Sequence, residues 1–248
     1  MADTTKTLLS VGAGPGVGIE VARRFGRAGY RVGLVRRSRE SLEAMVDELR
    51  AEGIDARGAA ADAYDADALT GVVTALATDL DGLGVLHHAV PGPLGQGFGP
   101  ALEMSPELLR TFVDARVVSA LVAAQAALPY LRRSAGAMVF TSGSADRTAH
   151  PGTGIVGVPQ AALRMLVAHL RQEVADEGVY VGLVPVAGVP AYRDPAADAA
   201  RTDVGPGVQL GDRVTAADVA EVHYRLATVR DRDEWIVGDA EKGLASAE

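Results

Sequence analysis

The chain contains no cysteine. Disulfide frameworks, cysteine-ligated zinc, iron–sulfur clusters and thiol catalysis are therefore excluded. Aromatic residues are scarce, at 4% against 48% hydrophobic residues in total, so the apolar weight sits in Ala, Val and Leu. That composition suits helices packed on a buried parallel sheet. Positive charge is in deficit: Lys and Arg number 24 against 32 Asp and Glu, a formal net charge of -8. An acidic chain has no global attraction to phosphate backbones or anionic membranes, so neither nucleic acid nor membrane is expected as a partner. No apolar run reaches the roughly 18 residues of a membrane span. The start, Met1 to Lys6, lacks the charged and apolar regions of a signal peptide. A soluble cytoplasmic protein is expected. Its 248 residues suit one large domain, 1–248, better than two.

What is present alternates between strand-like and helix-like segments. Apolar runs at 7–11, 31–35, 54–60, 85–90, 137–141 and 179–186 read as strands. Between them, residues 17–29, 39–52, the stretch around Leu69–Leu76, 106–133 and 161–177 carry apolar residues at helical spacing. Ser38 is placed to cap the second helix, and Ser105-Pro106-Glu107 has the composition of a helix start. A last helix is expected at 216–227 and a last short strand at 235–237. Such alternation predicts an α/β fold: one Rossmann-type, doubly wound parallel sheet with helices on both faces. Residues 187–213 are rich in Pro, Asp and Ala without periodicity, too long for an ordinary loop, and are expected to form a substrate lid or to be poorly ordered.

Between the first strand and first helix lies Gly12-Ala13-Gly14-Pro15-Gly16-Val17-Gly18. Glycines there permit a tight turn and close approach of backbone to a pyrophosphate, which the following helix N-terminus then faces. The spacing Gly12-x-x-x-Gly16-x-Gly18 resembles that of the short-chain dehydrogenase/reductase family. Further matches follow in order: Asp62 after the third strand, Leu86-His87-His88-Ala89-Val90 at the fourth strand end, Gln125-Ala126-Ala127-Leu128-Pro129, and Gln160-Ala161-Ala162-Leu163-Arg164. The resemblance covers about residues 6–188 and implies a nicotinamide cofactor. Its contacts would come from Gly12, Gly14, Gly16, Val17, Gly18, Asp62, Ala63, Ala89 and Gln160, and the protein would be a homodimer or homotetramer.

The second strand ends Leu34-Val35-Arg36-Arg37-Ser38, with no acid before Glu40. An NAD site of this type needs an acid there to accept from the ribose hydroxyls, whereas two guanidiniums and a hydroxyl suit a ribose 2′-phosphate. NADP(H) is the expected cofactor, with Arg36, Arg37 and Ser38 at the phosphate.

The resemblance also implies a catalytic tyrosine, and a lysine four residues later that lowers its pKa. Neither exists here. Alignment through Gln160-Ala161-Ala162 puts Gln160 at the lysine and Val156 at the tyrosine, and no tyrosine occurs between Tyr130 and Tyr180. Arg116 falls at the family's asparagine, and Gly143 at its serine, flanked by Ser142 and Ser144. Pro159, together with Gly152, Gly154 and Gly157, predicts that the usual active-site helix starts late, near Val158. Candidate catalytic residues are therefore Ser142 or Ser144 to bind a substrate oxygen, Arg116 as a fixed cation, and His150 to move a proton. Asp146 is a further candidate acid/base, though its residue type and place favour a turn-forming role over it. Adjacent strand residues His87 and His88 point to opposite faces, and no spacing suggests a metal site.

Three functions remain open from sequence. One is an oxidoreductase acting on a small carbonyl or conjugated alkene, with a non-standard site. Another is a non-redox dehydratase, cyclase or isomerase on the same fold. The third is a catalytically silent nucleotide-binding partner.

Overall fold

A computed structural model describes residues 6–201, 203–204 and 213–238. In chain order the elements are β1 (Thr7–Val11), α1 (Val17–Arg27), β2 (Arg31–Arg36), α2 (Arg39–Ala51), β3 (Ala56–Ala60), α3 (Ala66–Asp79), β4 (Val85–His88), α4 (Pro106–Val113), α5 (Ser119–Ser134), β5 (Ala137–Gly143), α6 (Gly154–Glu173), β6 (Tyr180–Val186), α7 (Pro195–Ala199) and α8 (Ala216–Val229). The six strands form one parallel sheet in the order β3-β2-β1-β4-β5-β6. The order in which successive strands are added reverses between β1 and β4, which opens a crevice at their C-terminal ends.

Alternation along the strands feeds two apolar layers. On one face Leu8, Leu34, Val85 and Val139 pack against α1, α2 and α8 through Ile19, Phe25, Met45 and Val219. On the other, Leu9, Leu86, Met138 and Phe140 pack against α3, α5 and α6 through Leu69, Ala123, Ala127 and Leu163. The alanines of α5 let that helix lie close to the sheet, which is where the small-residue composition is used.

Three expectations are corrected. The helix after β5 begins at Gly154, not near Val158. Its first turn closes on the Thr153 carbonyl, which accepts from Val156 and Gly157, so Pro159 sits inside the helix and simply leaves one backbone bond unmade. Next, the helix expected over 106–133 is present as α4 and α5 joined through a π-helical turn at Asp114–Val118. Against the expectation of no membrane-length apolar stretch, this 29-residue rod, Pro106–Ser134, is long and apolar enough by composition to cross a membrane. Ala120, Ala123, Ala124, Ala127 and Leu131 of that rod are buried against the sheet, as in a core helix. Finally, residues 235–237 form no strand: Glu234 and Val237 make only isolated parallel bridges to Leu183 and Val186 at the β6 edge.

Candidate active site

A cavity of about 550 Å³ occupies the crevice, within the range of small-molecule sites. The turn after β1 forms its wall. Gly12 has φ +85°, and a Cβ there would lie 2.7 Å from the Ala89 carbonyl carbon. A Cβ on Gly18 would lie 2.7 Å from the Ala13 Cα. These two glycines let the turn sit against β4 and α1 against the turn. No side chain caps α1, so its N-terminus faces the cavity with backbone donors available. Every residue expected at the cofactor lines this cavity: Gly12, Gly14, Gly16, Val17, Gly18, Arg36, Arg37, Ser38, Asp62, Ala63, Ala89 and Gln160.

The two arginines at the end of β2 have no carboxylate partner among the described residues. Arg36 donates only to the Met45 sulfur, at 3.3 Å, and burial lowers its pKa. Arg37 is exposed and near Tyr64, whose hydroxyl pKa is raised by burial. Ser38 is engaged as the α2 cap: its hydroxyl accepts from the Ser41 N–H at 3.4 Å and donates to the Ser41 hydroxyl at 3.1 Å. Asp62 closes a turn by accepting from the Tyr64 N–H.

The opposite end of the cavity gathers Arg116, Ser142, Ser144 and Gln160, with Val156 one helical turn before Gln160. Gln160 packs on Gly143, where a Cβ would lie within contact of its amide. Arg116 is 8% exposed, and burial pushes its pKa down to about 10, still cationic at neutral pH. Ser142 and Ser144 are buried, and the Ser142 hydroxyl has no partner. Two candidates are not in place. His150 is absent from the lining; it sits in the turn before α6, where its carbonyl accepts from the Thr153 hydroxyl. Asp146 is buried but locked to Arg147 at 2.7 Å, which also pairs with Glu234, and so is not free to shuttle protons.

Sequence reasoning placed a lid at 187–213 without naming its contacts. Of that segment, residues 202 and 205–212 lie outside the described residues. The described part lies as a strap over the glycine turn. The Tyr192 ring lies against Gly16, leaving 2.7 Å to where a Cβ would be. Arg193 donates twice to buried Glu20 of α1, at 2.8 and 2.7 Å. Arg201 stacks on Tyr192 and pairs with Asp203 at 2.8 Å. Val189, Pro190 and Tyr192 line the cavity. A lone aromatic in a Pro/Ala/Asp-rich run was the available signal for Tyr192.

The family model described as short chain dehydrogenase matches residues 6–194. Serine 3-dehydrogenase of Agrobacterium fabrum is 31% identical over 175 residues, covering 71% of this chain and 68% of its own. The 3-oxoacyl-acyl-carrier-protein reductase of Staphylococcus aureus is 25% identical over 237 residues, 94% of each chain. Among solved structures, a short-chain dehydrogenase/reductase of Mycobacterium ulcerans superimposes with a TM-score of 0.83 at 23% identity, covering 98% of this chain and 92% of that one. A Thermococcus sibiricus alcohol dehydrogenase complexed with 5-hydroxy-NADP gives 0.78 at 21% identity, covering 93% and 96%. At those identities the structural likeness speaks for the fold. Together with the family match over most of its length, it means that the chain belongs to the short-chain dehydrogenase family.

Proposed function

We propose that this protein is an NADP(H)-dependent oxidoreductase acting on a carbonyl or conjugated double bond of a small organic molecule, without a tyrosine–lysine pair. The observation that carries the cofactor reading is Arg36 and Arg37 on the cavity rim with no acid paired to either among the described residues. A 2′-phosphate fits two such guanidiniums, and the uncapped α1 N-terminus fits a pyrophosphate. NADPH bound there would supply the hydride. The chain's own residues have narrower tasks. The Ser142 hydroxyl is free to donate to a substrate oxygen, and Arg116 is placed as a fixed cation against negative charge on oxygen. Gln160 can hydrogen-bond a ribose hydroxyl but carries no charge. Among the described residues lining the cavity none is a phenol held near a lysine, so water or a substrate hydroxyl delivers the proton, with some loss of rate. The missing acid/base pair also favours a second reading, a non-redox enzyme on the same site.

The same proposal includes a cytoplasmic homodimer or homotetramer whose partner is a small molecule, and neither nucleic acid nor membrane. Val118, Val158 and Met165 are exposed apolar residues of the rod and α6, which supports a subunit contact there. Fluorescence titration should show NADPH binding more tightly than NADH. Arg37→Ala should cost about tenfold or more in NADPH affinity with little effect on NADH. Equal affinities would refute the 2′-phosphate reading. Consumption of NADPH in step with product formation separates redox from non-redox turnover.

A further inference from the structure

The substrate end of the cavity concentrates polar atoms that the fold leaves unpaired. Among the described residues, five buried side-chain nitrogens or oxygens lack a hydrogen-bond partner, and four of them are His88 Nδ1, Arg116 Nε, Ser142 Oγ and Gln160 Oε1. Arg116, Ser142 and Gln160 line the cavity from three different elements, and His88 immediately precedes lining residue Ala89. Orphaned buried groups are rare, because each gives up its hydration without compensation. Several converging on one concavity mark a place where a ligand's polar atoms complete them.

Arg116 decides the sign of that ligand. It sits in the π-helical turn Asp114–Val118, and such single turns re-aim side chains inside a continuous helix. Its guanidinium is more than nine-tenths buried and has no ion pair among the described residues. The neighbouring acids are otherwise occupied or distant: Asp114 is exposed, Asp146 is held by Arg147, Asp203 by Arg201, and Asp62 closes its own turn. His88 adds no negative charge. The Ser119 hydroxyl donates to the Ala115 carbonyl, so His88 Nε2–H must donate to Ser119 and Nδ1 is bare and neutral. A largely buried guanidinium with no counter-charge among the described residues is costly, and an anion delivered by the ligand offsets that cost.

Nor is the cofactor a ready source of that anion. Its 2′-phosphate and pyrophosphate are matched by Arg36, Arg37 and the α1 N-terminus, whereas Arg116 lies with Ser142 and Gln160 at the other end. We infer that the substrate carries a carboxylate, bound by Arg116 with a second hydrogen bond from Ser142. This rests on the reading of the site as a nucleotide-dependent active site, and it adds a specificity that the side chain itself imposes: neutral analogues are rejected because they leave Arg116 buried and uncompensated.

The test uses three non-reacting pairs of near-equal shape: acetate and acetamide, oxamate and oxamide, benzoate and benzamide. Each is titrated by calorimetry into the NADPH-saturated protein and into the free protein. The expected result is that at least one carboxylate binds about tenfold or more tightly than its amide. Arg116→Gln should abolish that preference while retaining NADPH affinity, and Arg116→Lys should restore part of it. Equal binding within all three pairs, or a preference that survives Arg116→Gln, overturns the inference. So does an Arg116→Gln enzyme that loses kcat while the wild type shows no carboxylate preference, because the cation would then serve only charge developing during reaction. Failure of NADPH to bind would count against the oxidoreductase reading alone, and the free-protein titrations would still decide the carboxylate subsite.

Discussion

Gly12 and Gly14 occupy the same turn for different physical reasons. At Gly12 a side chain would meet both a positive φ and the Ala89 backbone, which cannot move aside cheaply. At Gly14 a Cβ would lie 3.9 Å from its nearest neighbour, the Gly12 carbonyl oxygen, and the space beyond is the cavity. Gly12→Ala should therefore destabilise the fold by roughly 2–3 kcal/mol in chemical denaturation, along with a loss of nucleotide affinity. Gly14→Ala should leave stability within about 0.5 kcal/mol while still weakening NADPH, since its methyl group fills space that a pyrophosphate needs. If Gly14→Ala bound NADPH normally, the pyrophosphate would not approach the turn at that residue.

Among the elements, α6 is the most informative, because its sequence suggested a displaced helix and its backbone kept the position. Since the helix begins at Gly154, Val156 and Gln160 stand one turn apart on the same face, and both line the cavity. On that helix Val156 and Gln160 stand where the family resemblance implies a tyrosine and a lysine. The double variant Val156→Tyr/Gln160→Lys should fold, and its pH–rate profile should gain an ionisation that the parent lacks. Turnover should rise by up to about 10²–10³, as is typical of a single general acid. No new limb in the profile would mean that the surrounding shell, and not just the two side chains, has departed from the family's arrangement. The strap acts at the same scale. Arg193 ties it to Glu20, which also holds Arg23, so a charge buried in α1 serves both helix packing and the cover over the glycine turn.

At the scale of the whole molecule, a buried hydrogen-bond chain joins three strands and α8. The His223 Nδ1–H donates to the Val219 carbonyl at 2.8 Å, so its Nε2 accepts from the Thr141 hydroxyl at 2.9 Å. Thr141 then accepts from His87 Nε2–H at 3.1 Å, and His87 Nδ1 accepts from the Ser10 hydroxyl at 2.9 Å. Each donor has one acceptor, and both rings must be neutral. Burial holds His223 down to about 4 and His88 to about 3, the latter helped by the Arg116 charge. Burial also holds His87 well below its usual value, with the neighbouring His223 and His88 adding to the effect. In the unfolded chain all three would titrate near 6.5. Above that pH neither state is protonated at these rings, and stability is independent of them. Below it the unfolded state takes up protons that the folded state refuses, so stability falls as pH drops from about 6.5 toward 4, at up to about 1.4 kcal/mol per pH unit for each ring. Denaturation midpoints measured between pH 7 and 4 should follow this slope, and His223→Leu should reduce it by about one proton. An unchanged slope in that variant would mean that His223 is protonated in the native state.

The α/β class, the order of strands and helices and the glycine turn were all legible in sequence, because local periodicity and backbone sterics act over a few residues. Arg36 and Arg37 were legible for the same reason: the end of β2 is a position that the element itself defines. Proton-transfer candidates were not. His150 looked central by its place after β5, yet it does not line the cavity, and Asp146 is paired with Arg147, itself held by Glu234 through tertiary packing. Pro159 misled about the start of α6 because a single lost backbone bond is small beside the burial of Ile155, Val156 and Leu163 on that helix. Only the tertiary structure decided that Arg116 is buried at the cavity without a counter-charge among the described residues, that Ser142 and Gln160 line the same cavity, and that Tyr192 lies on Gly16. Whether a charge is compensated depends on everything packed around it, and no local stretch of sequence carries that information.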